Sequence, residues 1–125
     1  MKVFVAQPLP EPSTTEILAG LEVVVGRAGA FAEEAPLHLP AADALVPTPR
    51  ERVDEAVLAL APRLKVVANC AVGTDNVDLE ACRRLRVTYF RCLDTANLKD
   101  MKEILTEDFS CCCAGGDYVY QAKSR

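Results

Sequence analysis

Residues 64–81 read LKVVANCAVGTDNVDLEA, and this stretch decides the fold. The run at 65–68 is short and mostly apolar, which is typical of a strand buried on both faces of a sheet. A turn containing Gly73 follows, and Asp78 is a suitable N-cap for a helix that begins directly after it. The segment therefore predicts a strand, a loop and a helix, which is the repeating unit of a parallel α/β sheet.

Three stretches before this segment have the composition of strands. The runs at 3–6, 21–25 and 44–46 are rich in β-branched and other apolar residues, and turn-forming residues bound them. Because strands that alternate with helices form parallel sheets, we predict an α/β fold. The expected architecture is an incomplete flavodoxin-like parallel sheet with helices on both faces.

Two sequence patterns predict where helices begin. Ser13-x-x-Glu16 and Thr48-x-x-Glu51 are capping boxes, in which a hydroxyl and a carboxylate satisfy the free amides of a first turn. After the second box, an apolar face at helical spacing predicts a helix that ends at Pro62. Residues 27–42 contain several alanines and prolines and support no assignment.

Composition excludes several classes of protein. The chain has 125 residues, a formal charge of −4 and scattered basic residues, so we expect no nucleic-acid partner. No apolar run approaches the roughly 20 residues that span a bilayer, so we expect no membrane partner and a cytoplasmic location. The six cysteines include no Cys-x-x-Cys pair and His38 is the only histidine, which predicts reduced thiols and no metal site.

The loop after the strand at 65–68 is the candidate site. In parallel α/β sheets, ligands bind at the carboxyl ends of the strands, where this loop lies. The backbone amides of Ala71, Val72 and Gly73 could converge there on an anion such as a carboxylate. The alternative interpretation is a tight turn between strand and helix that binds no ligand.

The same stretch closely resembles a known family. Residues 64–81, with the pattern V-G-x-D-N-x-D at 72–78, are similar to the N-terminal region of D-isomer-specific 2-hydroxyacid dehydrogenases. The glyoxylate and hydroxypyruvate reductases are the branch they resemble most. Residues 1–6 and 42–46 lie where the family has its first and third strands, so the resemblance covers residues 1–87.

The resemblance implies a function and a set of site residues. Residues 1–87 would be part of the substrate-binding domain of a two-domain enzyme that reduces small 2-keto acids with NAD or NADP. In the family, the amides equivalent to Val72 and Gly73 bind the substrate carboxylate, and we add Ala71 to this set. The segment from Leu45 to Thr48, at the end of the third strand, would line the same cleft.

The family's other functional groups have no counterpart in this sequence. No arrangement of the six glycines gives the G-x-G-x-x-G turn that binds a dinucleotide, so we expect the cofactor site to be absent from this chain. The family's catalytic arginine and its histidine–carboxylate pair also lack equivalents, and His38 is expected to be a packing or surface residue. We therefore identify no catalytic residue and expect this fragment to be inactive by itself.

Residues 88–125 differ in composition from the preceding part. They contain no proline and include three consecutive cysteines, and we expect one helix after Asn97 or poor order. Our hypothesis is that this divergent tail is frameshifted or alternatively joined, and that residues 1–87 form the family domain. Without the rest of the family's structure, one sheet face would be bare, which predicts self-association or a homo-oligomer.

Two other functional interpretations stay open. The fragment could be a non-catalytic module of flavodoxin-like fold that binds a carboxylate or docks on another protein. It could also be an unrelated flavodoxin-like or receiver-like domain. A receiver needs acidic residues at the ends of its first and third strands, and Gln7 and Pro47 stand there instead.

Overall fold

A computed structural model describes residues 1–9, 18–92 and 118–120 of the chain. Its strands are β1 (Lys2–Val5), β2 (Glu22–Val25), β3 (Ala44–Val46), β4 (Val66–Cys70), β5 (Thr88–Cys92) and β6 (Tyr118–Tyr120). Its helices are α1 (Phe31–His38), a 3₁₀ turn (Leu39–Ala41), α2 (Glu55–Ala59) and α3 (Leu79–Arg84). No helix in this part of the chain is long and apolar enough to cross a membrane.

The strands form one sheet in the order β2-β1-β3-β4-β5-β6. The first five strands are parallel, and β6 pairs antiparallel with β5. The order 2-1-3-4-5 is that of flavodoxin-like sheets, in which the chain winds in both directions from the boundary between β1 and β3. The predicted α/β class and topology are therefore confirmed, and the carboxyl ends of β1, β3 and β4 lie next to one another.

Alternate side chains of the strands enter two separate hydrophobic cores. Phe4, Leu45, Val67 and Tyr89 point to the face on which the three α-helices pack. The opposite face is lined by other strand residues, and Leu18 is fully buried against them. These residues of the second face are Val3, Val5, Ala44, Val46, Val66, Ala68 and Phe90, none more than 3% exposed. The expectation of a bare sheet face was therefore wrong for this part of the sheet.

The helix after β3 begins later than the sequence predicts. Its N-cap is Asp54, whose side chain accepts a hydrogen bond from the Val57 amide at 3.0 Å. Half of the predicted capping box forms: Glu51 Oε1 accepts the Thr48 amide at 2.7 Å, but the Thr48 hydroxyl accepts the Arg50 amide and not the Glu51 amide. These bonds close a single turn and do not start a helix. The chain after Glu51 is extended, and Val53 forms a parallel β-bridge with Val77 in the loop after β4. A long-range contact therefore overrides the local helix signal.

Residues 27–42, which the sequence left unassigned, contain α1 and the 3₁₀ turn. Pro36 lies inside α1 and Pro40 inside the 3₁₀ turn, so both elements lack a backbone donor and stay short. The predicted capping box at Ser13 and the predicted helix after Asn97 lie outside the described residues.

The compositional boundary near residue 87 does not interrupt the sheet. Strand β5 pairs with β4 over its whole length, from Val66 opposite Thr88 to Cys70 opposite Cys92. Tyr89 and Phe90 of β5 are buried, one in each core. The sheet of the domain thus continues at least five residues beyond the expected boundary.

The helix after the deciding loop begins where the sequence predicts. Asp78 is its N-cap, and its Oδ1 accepts the Ala81 amide at 3.0 Å. Val77 before the cap and Cys82 in the helix are both buried in the same core, as expected for a hydrophobic staple. Arg83 and Arg84 occupy the last turn, where the helix dipole favours positive charge.

Gly26 is a position where the sheet tolerates no side chain. Its amide donates to the Val5 carbonyl at 2.8 Å, and an added Cβ would lie 2.6 Å from both Ala6 O and Glu34 Oε1. We expect Gly26→Ala to lower the free energy of unfolding by about 1–3 kcal/mol, because the backbone must shift to relieve the clash. Gly73→Ala is the matched control, since its Cβ would meet nothing within 4 Å. Equal urea midpoints for the two variants would contradict this expectation.

The buried thiol of Cys82 makes stability depend on pH in the alkaline range. Burial raises the pKa of Cys82 from 9.0 to about 12, and the negative charge of Asp78 adds to the shift. Above pH 9 the unfolded state loses a thiol proton that the folded state retains. The contribution of the neutral thiol to the free energy of unfolding is therefore complete below pH 9 and is lost between pH 9 and about 12. We expect urea midpoints over this range to fall less steeply for Cys82→Ala than for the unmodified chain. If the urea midpoints of Cys82→Ala and of the unmodified chain fell equally with pH, the pH dependence could not be assigned to Cys82.

Candidate anion-binding cleft

A cleft of about 420 Å³ opens at the carboxyl ends of β3 and β4. One wall is the segment between β3 and α2, and the other is the loop between β4 and α3. The residues that line it are Pro49, Arg50, Arg52, Ala71, Gly73, Asp75 and Asn76. Its volume is within the usual range of roughly 300–1,000 Å³ for small-molecule sites.

A pair of asparagine side chains holds the loop after β4. Asn69 and Asn76 exchange hydrogen bonds, each Nδ2 donating to the other's Oδ1 at 3.0 Å. Asn69 is fully buried on β4, and its Nδ2 also lies 3.0 Å from the hydroxyl of Tyr89 and 3.4 Å from the Gly73 carbonyl. Since a buried amide without partners is costly, this pairing strongly favours one loop conformation.

Asn76 also joins the two walls of the cleft. Its Nδ2 lies 3.0 Å from the Thr48 carbonyl and 3.1 Å from the Glu51 carbonyl, which belong to the opposite wall. On the backbone, the Val53 amide donates to Asn76 O at 2.7 Å, and the Asp78 amide donates to Val53 O at 2.9 Å. The walls are therefore fixed relative to each other without a ligand.

The three predicted amides have different environments. The Ala71 amide donates to Asn69 O at 3.0 Å, so this hydrogen bond already occupies it. The side chain of Val72 is 80% exposed at the tip of the loop. Within the described ranges, the Gly73 amide has no intramolecular acceptor, and the space beside its Cα is open. Gly73 is thus the available donor of the set, while anion binding by these residues stays a prediction.

Thr48 directly precedes Pro49 of the cleft lining but does not itself line the cleft, and protein groups occupy its polar atoms. Its Oγ1 donates to Glu51 Oε1 at 2.8 Å and accepts from Gln7 Nε2 at 3.0 Å and the Arg50 amide at 3.3 Å. Thr48 is only 7% exposed. Because Gln7 follows β1, the hydroxyl ties the ends of β1 and β3 together, which indicates that Thr48 positions the cleft wall.

Sequence reasoning missed two parts of the cleft. Arg50 and Arg52 line the cleft. The local signal that could have indicated this is that both arginines closely follow the buried strand β3. The Asn69–Asn76 pair was also missed. The signal that could have revealed it is an asparagine at the end of an otherwise apolar strand, since a buried amide needs a partner.

His38 and the cysteines take packing roles in the described structure. The ring of His38 lies 5.1 Å from that of Phe4, between centroids, in a tilted arrangement. Cys82 is fully buried and Cys70 is half-buried, and neither forms a disulfide. Among residues 1–9, 18–92 and 118–120, no three histidine, cysteine or acidic side chains are grouped so that they could hold a metal ion.

The described residues do not fit a dinucleotide. The loop after β2 contains Gly26, but its amide donates to the Val5 carbonyl at 2.8 Å and is therefore not available to a phosphate. The loop after β4 has a single glycine in place of the glycine-rich turn that binds a pyrophosphate.

The sheet order defines a doubly wound α/β domain, and a cleft opens at the carboxyl ends of its strands β3 and β4. Comparison with known proteins identifies the family. The model of the D-isomer specific 2-hydroxyacid dehydrogenase catalytic domain matches residues 3–98, and the chain belongs to this family. The match also extends past residue 87, in agreement with the continuation of the sheet into β5.

Individual relatives support the same assignment. A glyoxylate reductase from Thermococcus kodakarensis is 34% identical over 116 residues, which cover 87% of this chain and 32% of that protein. The TT0316 protein of Thermus thermophilus has a similar crystal structure, with 36% identity, a TM-score of 0.66 and coverage of 71% of this chain and 29% of that one. The chain therefore spans about a third of the length of these relatives.

A third relative is known with its cofactor. An NAD⁺-bound 3-phosphoglycerate dehydrogenase from Entamoeba histolytica has a TM-score of 0.64 and 24% identity, covering 73% of this chain and 32% of that one. At this identity the likeness concerns the fold alone.

Proposed function

We propose that the cleft binds the carboxylate of a small 2-keto or 2-hydroxy acid, as the substrate-binding part of an NAD- or NADP-dependent dehydrogenase. The observation that carries this proposal is the Gly73 amide, which has no acceptor among the described residues, in a cleft also lined by Arg50 and Arg52. An amide hydrogen and guanidinium groups are the donors that a carboxylate accepts best. The neighbouring amide of Val72, on the exposed tip of the loop, belongs to the proposed contact set.

The described residues bind and orient the acid, and other residues must supply hydride and proton transfer. The fixed walls keep the donors in place before the acid arrives, which lowers the entropy lost on binding. NAD or NADP would be the hydride donor for 2-keto acid reduction, held by residues other than those described. We expect no NADH oxidation by this chain with glyoxylate, and turnover above the protein-free rate would contradict that part of the proposal.

The proposal includes the organisation of the chain. Residues 1–98 form part of the substrate-binding domain, because the family model matches residues 3–98, and the residues after them are a divergent tail. A cytosolic location fits the unbridged thiols of Cys70 and Cys82, because the cytosol keeps thiols reduced. Sequencing the coding DNA downstream of codon 87 tests the frameshift hypothesis. A frame that restores the family pattern supports it, and the absence of such a frame contradicts it.

A titration of the isotopically labelled chain tests the binding proposal. Glyoxylate is added at constant ionic strength while backbone amide resonances are followed, with acetate as the matched monocarboxylate lacking the 2-oxo group. We expect saturable shifts centred on Gly73 and Val72, larger for glyoxylate than for acetate. Shifts that do not saturate, or that leave Gly73 unchanged, would refute the proposal.

A further inference from the structure

Strand β2 forms one edge of the sheet. It pairs with β1, and no strand of the described part of the chain lies beyond it. The amides of Glu22 and Gly26 donate to backbone carbonyls on the β1 side, at 3.0 and 2.8 Å. Because successive peptide groups of a strand point to opposite edges, the amides and carbonyls of Val23 and Val25 point away from the sheet. These groups have no partner among residues 1–9, 18–92 and 118–120.

This edge has few of the features that protect an exposed strand. Such strands usually carry lysine, proline or a β-bulge. Residues 22–25 contain neither lysine nor proline, and their pairing with β1 is regular throughout. Glu22 is the only charged residue of the strand, and Val25 is 41% exposed. A regular, mostly apolar edge of this kind is a template for pairing with another strand.

A second copy of β2 fits the edge in one antiparallel register. The outward peptide groups belong to alternate residues, so they match when Val23 of each copy lies opposite Val25 of the other. Each such pair exchanges two hydrogen bonds, and the two-fold axis then passes between the two copies of Val24. Both copies use the same surface, so the assembly closes at a dimer.

The charges near the edge are complementary in this register. Glu22 of one copy lies opposite Gly26 of the other, on the face where an added Gly26 Cβ would lie 2.6 Å from Glu34 Oε1. Arg27 reaches the same place, because its Nε lies 3.1 Å from Glu34 Oε2, and its side chain is 72% exposed. In the described structure its terminal nitrogens have no acceptor, so they can donate to Glu22 of the second copy.

We propose that the chain forms a two-fold symmetric dimer in which β2 pairs antiparallel with β2 of a second copy. The sheets of the two copies join into one continuous sheet through an interface of small area, which is typical of reversible association. Strand β1 separates β2 from β3, and the cleft opens at the ends of β3 and β4, so both clefts stay accessible. The dimer is therefore independent of the proposed carboxylate binding.

Sedimentation equilibrium of the 125-residue chain, from about 50 µM to about 1 mM, tests the dimer in the range where small interfaces associate. We expect a reversible monomer–dimer equilibrium. Val25→Lys should raise the dissociation constant about tenfold, because it places a charge on the edge. Leu85→Lys is the matched control, since Leu85 is 40% exposed and lies at the end of α3, away from β2. Its dissociation constant should equal that of the unmodified chain.

Glu22→Lys is a second variant for the same measurement, and circular dichroism checks that each variant is folded. Glu22 is exposed, so its replacement leaves the cores intact, and repulsion from Arg27 of the second copy should weaken the dimer. If Val25→Lys does not fold, Glu22→Lys alone decides, and an unchanged dissociation constant for this variant would refute the proposed register.

Amide hydrogen exchange followed by NMR locates the interface. The Val23 and Val25 amides should exchange about tenfold more slowly at about 1 mM than at about 50 µM, because only the dimer gives them acceptors. The Val24 amide points to β1 and should be unaffected. A chain that stays monomeric throughout would overturn the proposal. So would a dimer that leaves the exchange of Val23 and Val25 unchanged, or one that Leu85→Lys weakens as much as Val25→Lys.

Discussion

Replacement of Asn76 by alanine is expected to lower the free energy of unfolding by about 2–4 kcal/mol. The side chain bonds to Asn69 and to the carbonyls of Thr48 and Glu51, so its loss breaks the link between the walls. It also leaves the fully buried Asn69 amide without a main partner. Urea denaturation followed by circular dichroism measures the change.

Thr74→Ala is the matched control for Asn76→Ala. It lies in the same loop, and in the described structure its side chain makes no hydrogen bond, while its carbonyl accepts the Val77 amide at 3.1 Å. We expect its urea midpoint to stay close to that of the unmodified chain. If Asn76→Ala were as stable as Thr74→Ala, the asparagine pair would not hold the cleft together.

Replacement of Phe4 by alanine is expected to have the largest effect on the core, about 3–5 kcal/mol. Phe4 is fully buried on β1, and its ring stacks on Phe31 at 6.1 Å and lies 5.1 Å from His38. The cavity would lie between the sheet and α1, and because a small domain is stable by only about 5–15 kcal/mol, much of the chain would be unfolded. Thermal unfolding monitored by circular dichroism measures this loss.

Phe31→Ala provides the comparison for Phe4→Ala. Phe31 is only partly buried and packs against the edge of the same core. Its removal exposes the flank of Phe4 without opening an enclosed cavity, so a clearly smaller loss of stability is expected. Equal losses for the two variants would contradict the placement of Phe4 at the centre of this core.

Strands β1 to β4 and α3 could be predicted from the sequence because their signals are local, whereas β5 and β6 were not predicted. The apolar runs at 44–46 and 65–68 coincide with β3 and most of β4, and Asp78 caps α3 as predicted. The helix after β3 was placed too early, because the pairing of Val53 with Val77 joins segments far apart in sequence. A capping box cannot reveal such a contact.

The candidate site was only partly predictable for the same reason. A glycine in a loop between strand and helix indicates an anion site locally, and Gly73 does open onto the cleft. The roles of Asn76 and of the two arginines depend on the packing of the β3–α2 segment against that loop. The engagement of the Thr48 hydroxyl by Gln7 and Glu51 likewise follows from the sheet order, which places β1 beside β3.

A crystal structure of the 125-residue chain with oxalate tests the central claim most directly. Oxalate is a stable analogue of a 2-keto acid, and its electron density shows which protein atoms approach its carboxylates. We expect one carboxylate oxygen within about 3 Å of the Gly73 nitrogen, a normal hydrogen-bond distance, with the cleft walls unmoved. Oxalate bound elsewhere, or a Gly73 amide that donates to a protein oxygen instead, would contradict the account.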